Sequence, residues 1–112
     1  MQINERNSNG VNILSISGRL DAAAAPQLGK WFEKNLPSAQ PRLAVGMNEV
    51  NFIDSSGLSI LVQGLKRCRE RQGNLVIFGV QQTVRIIFEL TRLNKAFDIY
   101  VNEAEALQAL GQ

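Results

Sequence analysis

Val50-Asn51-Phe52-Ile53-Asp54-Ser55-Ser56-Gly57-Leu58 carries an apolar run straight into an acid, two hydroxyls and a glycine, and then into a helix-patterned segment. The first half has the composition of a buried strand. The second half has the composition of a helix start, where backbone N–H groups lack intrahelical partners and a short polar side chain accepts from them. A helix N-terminus also favours negative charge. A hydroxyl at such a junction serves in one of three ways: as an ordinary cap, as a ligand contact, or as an acceptor for phosphate. The junction therefore fixes a strand-to-helix unit, and its chemistry is the question the rest of the chain must answer.

Downstream, Leu58, Leu61, Val62, Leu65 and Cys68 form an apolar stripe at helical spacing, so a helix is expected from near Ser56, with Gln63, Lys66, Arg67 and Glu70 facing away and Gly73 as its stop. Residues 43–47 and Asn74–Phe78 are short apolar runs expected to be strands buried on both faces. Strand–helix–strand succession of this kind implies parallel pairing. Upstream, residues 2–6 read as a short edge strand, Asn9-Gly10 as a tight turn, and residues 11–17 as a half-buried strand with Leu14 and Ile16 on one face and Ser15 and Ser17 on the other. Gly18-Arg19-Leu20-Asp21 ends that strand. Residues 22–36 follow as a helix starting near Ala24, with Pro26 in its first turn and Leu28, Trp31 and Phe32 on one face. After Gly79 a further amphipathic helix uses Val84, Ile87 and Phe88. Residues 98–101 suggest a last strand. Asn102 and Glu105 have capping-box spacing before a final helix edged by Leu107 and Leu110. The expected fold is a single α/β domain over residues 1–112: a mixed β-sheet, with an N-terminal hairpin and parallel central strands, packed with about four α-helices.

Composition narrows the function. A chain of 112 residues fits one domain and buries roughly 65% of its unfolded surface. It is 45% hydrophobic and 20% charged, with a net charge of +2 and no long run of one sign, which argues against a dedicated nucleic-acid surface. No apolar stretch approaches the roughly 20 residues needed to span a bilayer, and residues 1–6 lack a signal-peptide core. The one cysteine, Cys68, continues an apolar stripe and has no partner for an internal disulfide. These features lead to the expectation of a cytoplasmic protein. Histidine is absent, which removes Ser-His-Asp triads, Cys-His pairs and histidine metal sites. Phosphate-loop and dinucleotide glycine motifs are absent too, and the carboxylates are scattered rather than paired, so an enzyme reading has little support and no cofactor is expected.

Local physics prefers a plain helix cap for Asp54-Ser55-Ser56-Gly57, yet a cap needs one side chain and three polar candidates stand in a row. Asp21 reads first as a turn residue capping the next helix, and second as part of a surface shared with the Ser55 loop, since both follow strands. Lys66, Arg67, Arg69 and Arg71 read as a solvated helix end favoured by the dipole, roughly 15–20 Å from Ser55.

Gly18-Arg19-Leu20-Asp21, the strand at residues 43–47, the segment from Val50 to Leu58, and Leu93 with Phe97 together resemble the STAS domain, and more narrowly the free-standing bacterial anti-sigma factor antagonists. The resemblance runs from about Val11 to Leu110. It implies that Ser55, directly after the aspartate, is phosphorylated by a partner serine kinase of the histidine-kinase-like ATPase fold that is also the anti-sigma factor. It further implies that the unphosphorylated form binds this partner and that a separate serine phosphatase restores it. Asp21, Asp54, Ser56, Gly57 and Leu58 would form or frame the docking surface, with Ser56 left for the structural role at the helix start. The alternative within the same fold is a STAS subunit of a membrane transport complex without a phosphoswitch. Two positions depart from the family pattern: Gly46, where a polar residue is usual, and Ser59, where glycine or alanine is common.

Overall fold

The computed structural model describes residues 1–111 of the chain; the last residue of the expected domain, Gln112, lies outside the described residues. Strands β1 (Gln2–Ser8) and β2 (Val11–Leu20) form an antiparallel hairpin. Asn9 and Gly10 turn it at φ 50° and 84°, the left-handed pair that matches the twist of flanking strands. Helix α1 (Ala25–Asn35) starts after Ala24 with Pro26 in its first turn, and it buries Leu28, Trp31 and Phe32 as the spacing requires. Strand β3 (Arg42–Ile53), helix α2 (Ser55–Glu70), strand β4 (Asn74–Phe78), helix α3 (Gln82–Leu90), a 3₁₀ turn at Leu93–Lys95, strand β5 (Ile99–Tyr100) and helix α4 (Glu103–Ala109) complete the order. The sheet runs β1-β2-β3-β4-β5, with β1 antiparallel and every later neighbour parallel.

Two strands are longer than their apolar runs. β2 continues past Ser17 through Gly18-Arg19-Leu20, and β3 continues from Met47 through the polar pair Asn48-Glu49 to Ile53. Each extension supplies the other's hydrogen-bond partners: the parallel ladder ends on Arg19↔Phe52 and Leu20↔Ile53, after register shifts near Ser17 and Gly18. Pairing, rather than side-chain pattern, sets these lengths.

Successive right-handed crossovers in one direction place α1, α2 and α3 on one face. There Leu14, Ile16, Val45, Met47, Leu75 and Ile77 meet Leu28, Phe32, Leu61, Leu65, Val84 and Phe88 in the main core. The opposite face has its own smaller core, in which Ala106 and Leu110 of the α4 region cover Val11, Ile13, Ala44, Val76 and Phe78. β2 is therefore buried on both faces at its start and on one face beyond it, where Ser15 and Ser17 are half-buried and Arg19 is exposed. The half-buried reading holds only for its second half. Val62 is likewise exposed, not part of the α2 stripe; on the last helix Leu107 packs at the edge of the second core as expected, with Ala106 buried beside it. Asn102 does cap α4, accepting from the Glu105 amide at 3.0 Å.

Candidate functional site

Because β2 and β3 are parallel neighbours ending on the pair Leu20↔Ile53, the loops that follow them emerge side by side. This brings Asp21 and Asp54 together, although 33 positions of sequence separate them. Asp54 is extended (φ −118°, ψ −173°) and is the N-cap of α2. Its Oδ1 accepts from the Gly57 amide at 3.0 Å, its backbone carbonyl accepts from the Leu58 amide at 3.0 Å, and its Oδ2 accepts from the Ala22 amide of the neighbouring loop at 3.1 Å. Asp54 N–H in turn donates to the Leu20 carbonyl at 3.4 Å. One carboxylate thus starts a helix and ties two loops. Asp21 does the equivalent work locally, its Oδ1 accepting from Ala24 N–H at 3.1 Å. That amide, aided by Arg19, holds the Asp21 carboxyl below its ordinary value against some opposing desolvation.

Gly57 admits no side chain. A Cβ there would lie 2.2 Å from the Leu20 carbonyl oxygen and 2.8 Å from Ile53 Cγ1, so only glycine lets α2 approach the end of β2 this closely. Leu58 is buried in the main core at 6% exposure and fixes the helix from beneath. Among the proposed surface residues, Gly57 and Leu58 therefore frame the site and do not present side chains to it.

The two serines part company. Ser55 is the first residue of α2 and is exposed; its hydroxyl and its amide have no hydrogen-bond partner among the described residues. Ser56 is half-buried and borders a shallow groove between α1 and α2 with Ala25, Pro26, Ser59 and Ile60. The capping role expected of Ser56 belongs to Asp54, whose side chain is one atom longer and reaches the amides of both Gly57 and Ala22. With the cap supplied from outside the helix, neither serine hydroxyl is needed to start it.

The sequence pattern missed one feature of this site. Arg19 Cζ lies 3.8 Å above the centroid of the Phe52 ring, and Arg19 Nε lies 3.5 Å from Asp21 Oδ2. Phe52 remains 36% exposed. Only the cross-strand register Arg19↔Phe52 brings the pair together, and neither strand alone contains that signal.

The basic end of α2 lies elsewhere. Arg71 donates to the carbonyls of Leu36 and Pro37, Arg69 to that of Ala96 at 3.4 Å, and Arg67 faces Glu33 at 3.9 Å. These side chains tether the helix to its surroundings, which is more than the solvated-face reading assigned them. Burial pushes the Cys68 thiol up to about 11. At Gly46 the ring of Phe78 occupies the space of a side chain, with its Cζ 2.5 Å from where a Cβ would stand. The missing polar group is thus replaced by aromatic packing beneath α4. Among the described residues no group of acidic, cysteine or histidine side chains is placed to hold a metal ion, and no helix is long and apolar enough to cross a membrane.

A mixed sheet with helices on both faces, carrying a presented serine at the carboxyl end of its central strand, defines an α/β domain built around the β3–α2 junction. The STAS domain family model matches residues 2–106, and the chain belongs to that family. It is 31% identical over 105 residues to the anti-sigma-B factor antagonist of Listeria monocytogenes, covering 94% of this chain and 91% of the relative. The structure of an anti-sigma-factor antagonist (STAS) domain protein from Planctomyces limnophilus superposes with a TM-score of 0.88 at 26% identity, covering 98% of each chain. The Bacillus cell fate determinant SpoIIAA in its phosphorylated form shares the fold, with a TM-score of 0.68 at 16% identity over 96% of this chain and 98% of that one.

Proposed function

We propose that this chain is an anti-sigma factor antagonist working as a phosphorylation-controlled partner switch, with Ser55 as the acceptor. The observation that carries the reading is the exposed Ser55 hydroxyl at the first position of α2, unpartnered among the described residues, beside a cap that Asp54 supplies in full. The relative from Listeria bears the name of this activity. In the transfer, Ser55 Oγ forms a bond to the γ-phosphorus of ATP as the bond to the ADP oxygen breaks, and the hydroxyl proton passes to a base of the kinase. The chain supplies the oxygen and its placement; the ATP site belongs to the partner, a serine kinase of the histidine-kinase-like ATPase fold that is also the anti-sigma factor. A serine phosphatase hydrolyses the ester and resets the switch.

Phosphate adds about −1.5 to −2 charges and three strong acceptors. Within the chain that charge is tolerated, because the Ser55 and Ser56 amides at the positive end of α2 are open to it. Against a partner shaped for a neutral hydroxyl, it adds repulsion and desolvation beside the Asp54 carboxylate. A loss of about 3 kcal/mol weakens binding more than a hundredfold. The same site thus keeps the fold and changes the affinity.

Incubation with candidate kinases of this ATPase fold and ATP, followed by intact mass and site mapping, tests the acceptor. One phosphate on Ser55, absent from Ser55→Ala, is expected. Transfer to Ser56 or Ser59 instead, or to no residue with any candidate kinase, contradicts the assignment and leaves a STAS module that binds without a phosphoswitch.

A further inference from the structure

The pair formed by Arg19 and Phe52 has no part in starting α2 or in accepting phosphate, yet it stands next to Ser55. Phe52 precedes Ser55 by three residues, roughly 10 Å of chain at most. Neither side chain is part of the core cluster that the α4 region covers, and both are exposed. The Arg19 side chain is 60% exposed, with Cζ 3.8 Å over the ring and Nε turned to Asp21. Its two terminal nitrogens have no acceptor among the described residues. Of the neighbouring carboxylates, Asp54 accepts from backbone amides on both oxygens, and Asp21 accepts from one on Oδ1 while its Oδ2 faces the Nε of Arg19. A guanidinium held over an aromatic ring, with its two terminal nitrogens open, is ready for a carboxylate in bidentate geometry. Arginine and large aromatic side chains also anchor protein interfaces. Beside the pair, Arg19 and Asp21 open onto a depression of about 430 Å³ that also involves Met1, Ala24 and Gln27, room enough for one side chain.

We infer that Arg19 and Phe52 are the specificity element of the Ser55 docking surface: the Arg19 fork takes an Asp or Glu carboxylate of the partner kinase while the exposed face of Phe52 takes an apolar contact beside it. The inference rests on the partner-switch reading and adds to it the chemistry that the partner must present. The occupant is the same protein that engages Ser55, because the two features share one continuous end of the molecule and because the terminal nitrogens of Arg19, which its Nε contact with Asp21 leaves open, call for a further acid.

The test titrates the kinase found to phosphorylate Ser55 with the wild type and with Arg19→Gln, Arg19→Lys, Phe52→Leu, Ser55→Asp and, as a charge control, Lys34→Gln. Arg19→Gln is expected to weaken binding at least tenfold, to raise the KM for the protein substrate with kcat within about twofold, and to flatten the salt dependence of binding. Arg19→Lys restores charge without the fork and recovers only part of the loss. Phe52→Leu weakens binding while its thermal midpoint stays close to that of wild type, which separates contact from folding. Wild-type affinity in both Arg19→Gln and Phe52→Leu, with Ser55→Asp still blocking binding, overturns the inference and leaves the switch standing. A loss in Lys34→Gln as large as that in Arg19→Gln reduces the effect to net charge and overturns it too. Full binding by Ser55→Asp removes the switch reading and the inference together.

Discussion

Asp54 does more than any other side chain at the junction, because its two oxygens serve different elements. Replacing it with alanine removes the α2 cap and the link to Ala22, for an expected loss of about 2–3 kcal/mol in denaturant unfolding. Asn at this position keeps one acceptor oxygen, so Asp54→Asn should lose about half as much. The sequence marked Asp54 as a cap candidate but did not separate it from the two serines. All three side chains carry a suitable oxygen, and the choice depends on the neighbouring loop that only the folded sheet brings within reach. Cys68 gives a pH-dependent readout of the core beneath. Its folded thiol keeps its proton up to about 11, against 9.0 ordinarily, so above pH 9 the unfolded chain binds fewer protons than the folded one. Stability from this group is intact below pH 9 and falls as pH climbs toward 11, by at most about 2–3 kcal/mol. Denaturation midpoints of wild type and Cys68→Ala compared at about pH 8 and pH 10.5 should show a steeper decline in wild type. Equal slopes would show that burial does not hold the proton.

At the scale of elements, the helix faces were readable and the strand lengths were not. Leu28, Trp31 and Phe32 repeat at helical spacing because one face of α1 meets the core, and the pattern alone reveals it. β3 crosses Asn48 and Glu49 because β2 supplies its ladder bonds, a cause located in another part of the chain. α4 was visible through its Asn102 cap, but the face it covers was hidden: Val11 and Ile13 looked like the start of a half-exposed strand until Ala106 and Leu110 packed over them. Leu110→Ala should therefore cost about 2–3 kcal/mol despite its place near the end of the chain, checked by thermal or urea unfolding. A change under about 0.5 kcal/mol would mean that α4 does not close the second core. The same reasoning at α2 predicts that phosphorylation of Ser55 leaves the fold intact. The helix terminus favours the added charge by about 0.3–1 kcal/mol while Asp54 opposes it, so the thermal midpoint should move by no more than a few degrees.

For the whole molecule, the order of hairpin and alternating strands and helices was enough to specify a mixed sheet, and the motif around Ser55 was enough to identify the STAS family. What the order could not show is how the parallel pairing of β2 and β3 gathers Arg19, Asp21, Phe52, Asp54 and Ser55 at one end. Under the proposed function, that gathering makes the end of the sheet, rather than one loop, the unit that a partner would meet. The account predicts a molecule whose structure is the same in both states and whose affinity is not. Calorimetric titration of the partner kinase with the unphosphorylated and the Ser55-phosphorylated protein tests this most directly. The account predicts affinity at least a hundredfold weaker for the phosphorylated form, with unchanged folding by circular dichroism. Equal affinities, or a loss of binding that accompanies unfolding, would contradict it.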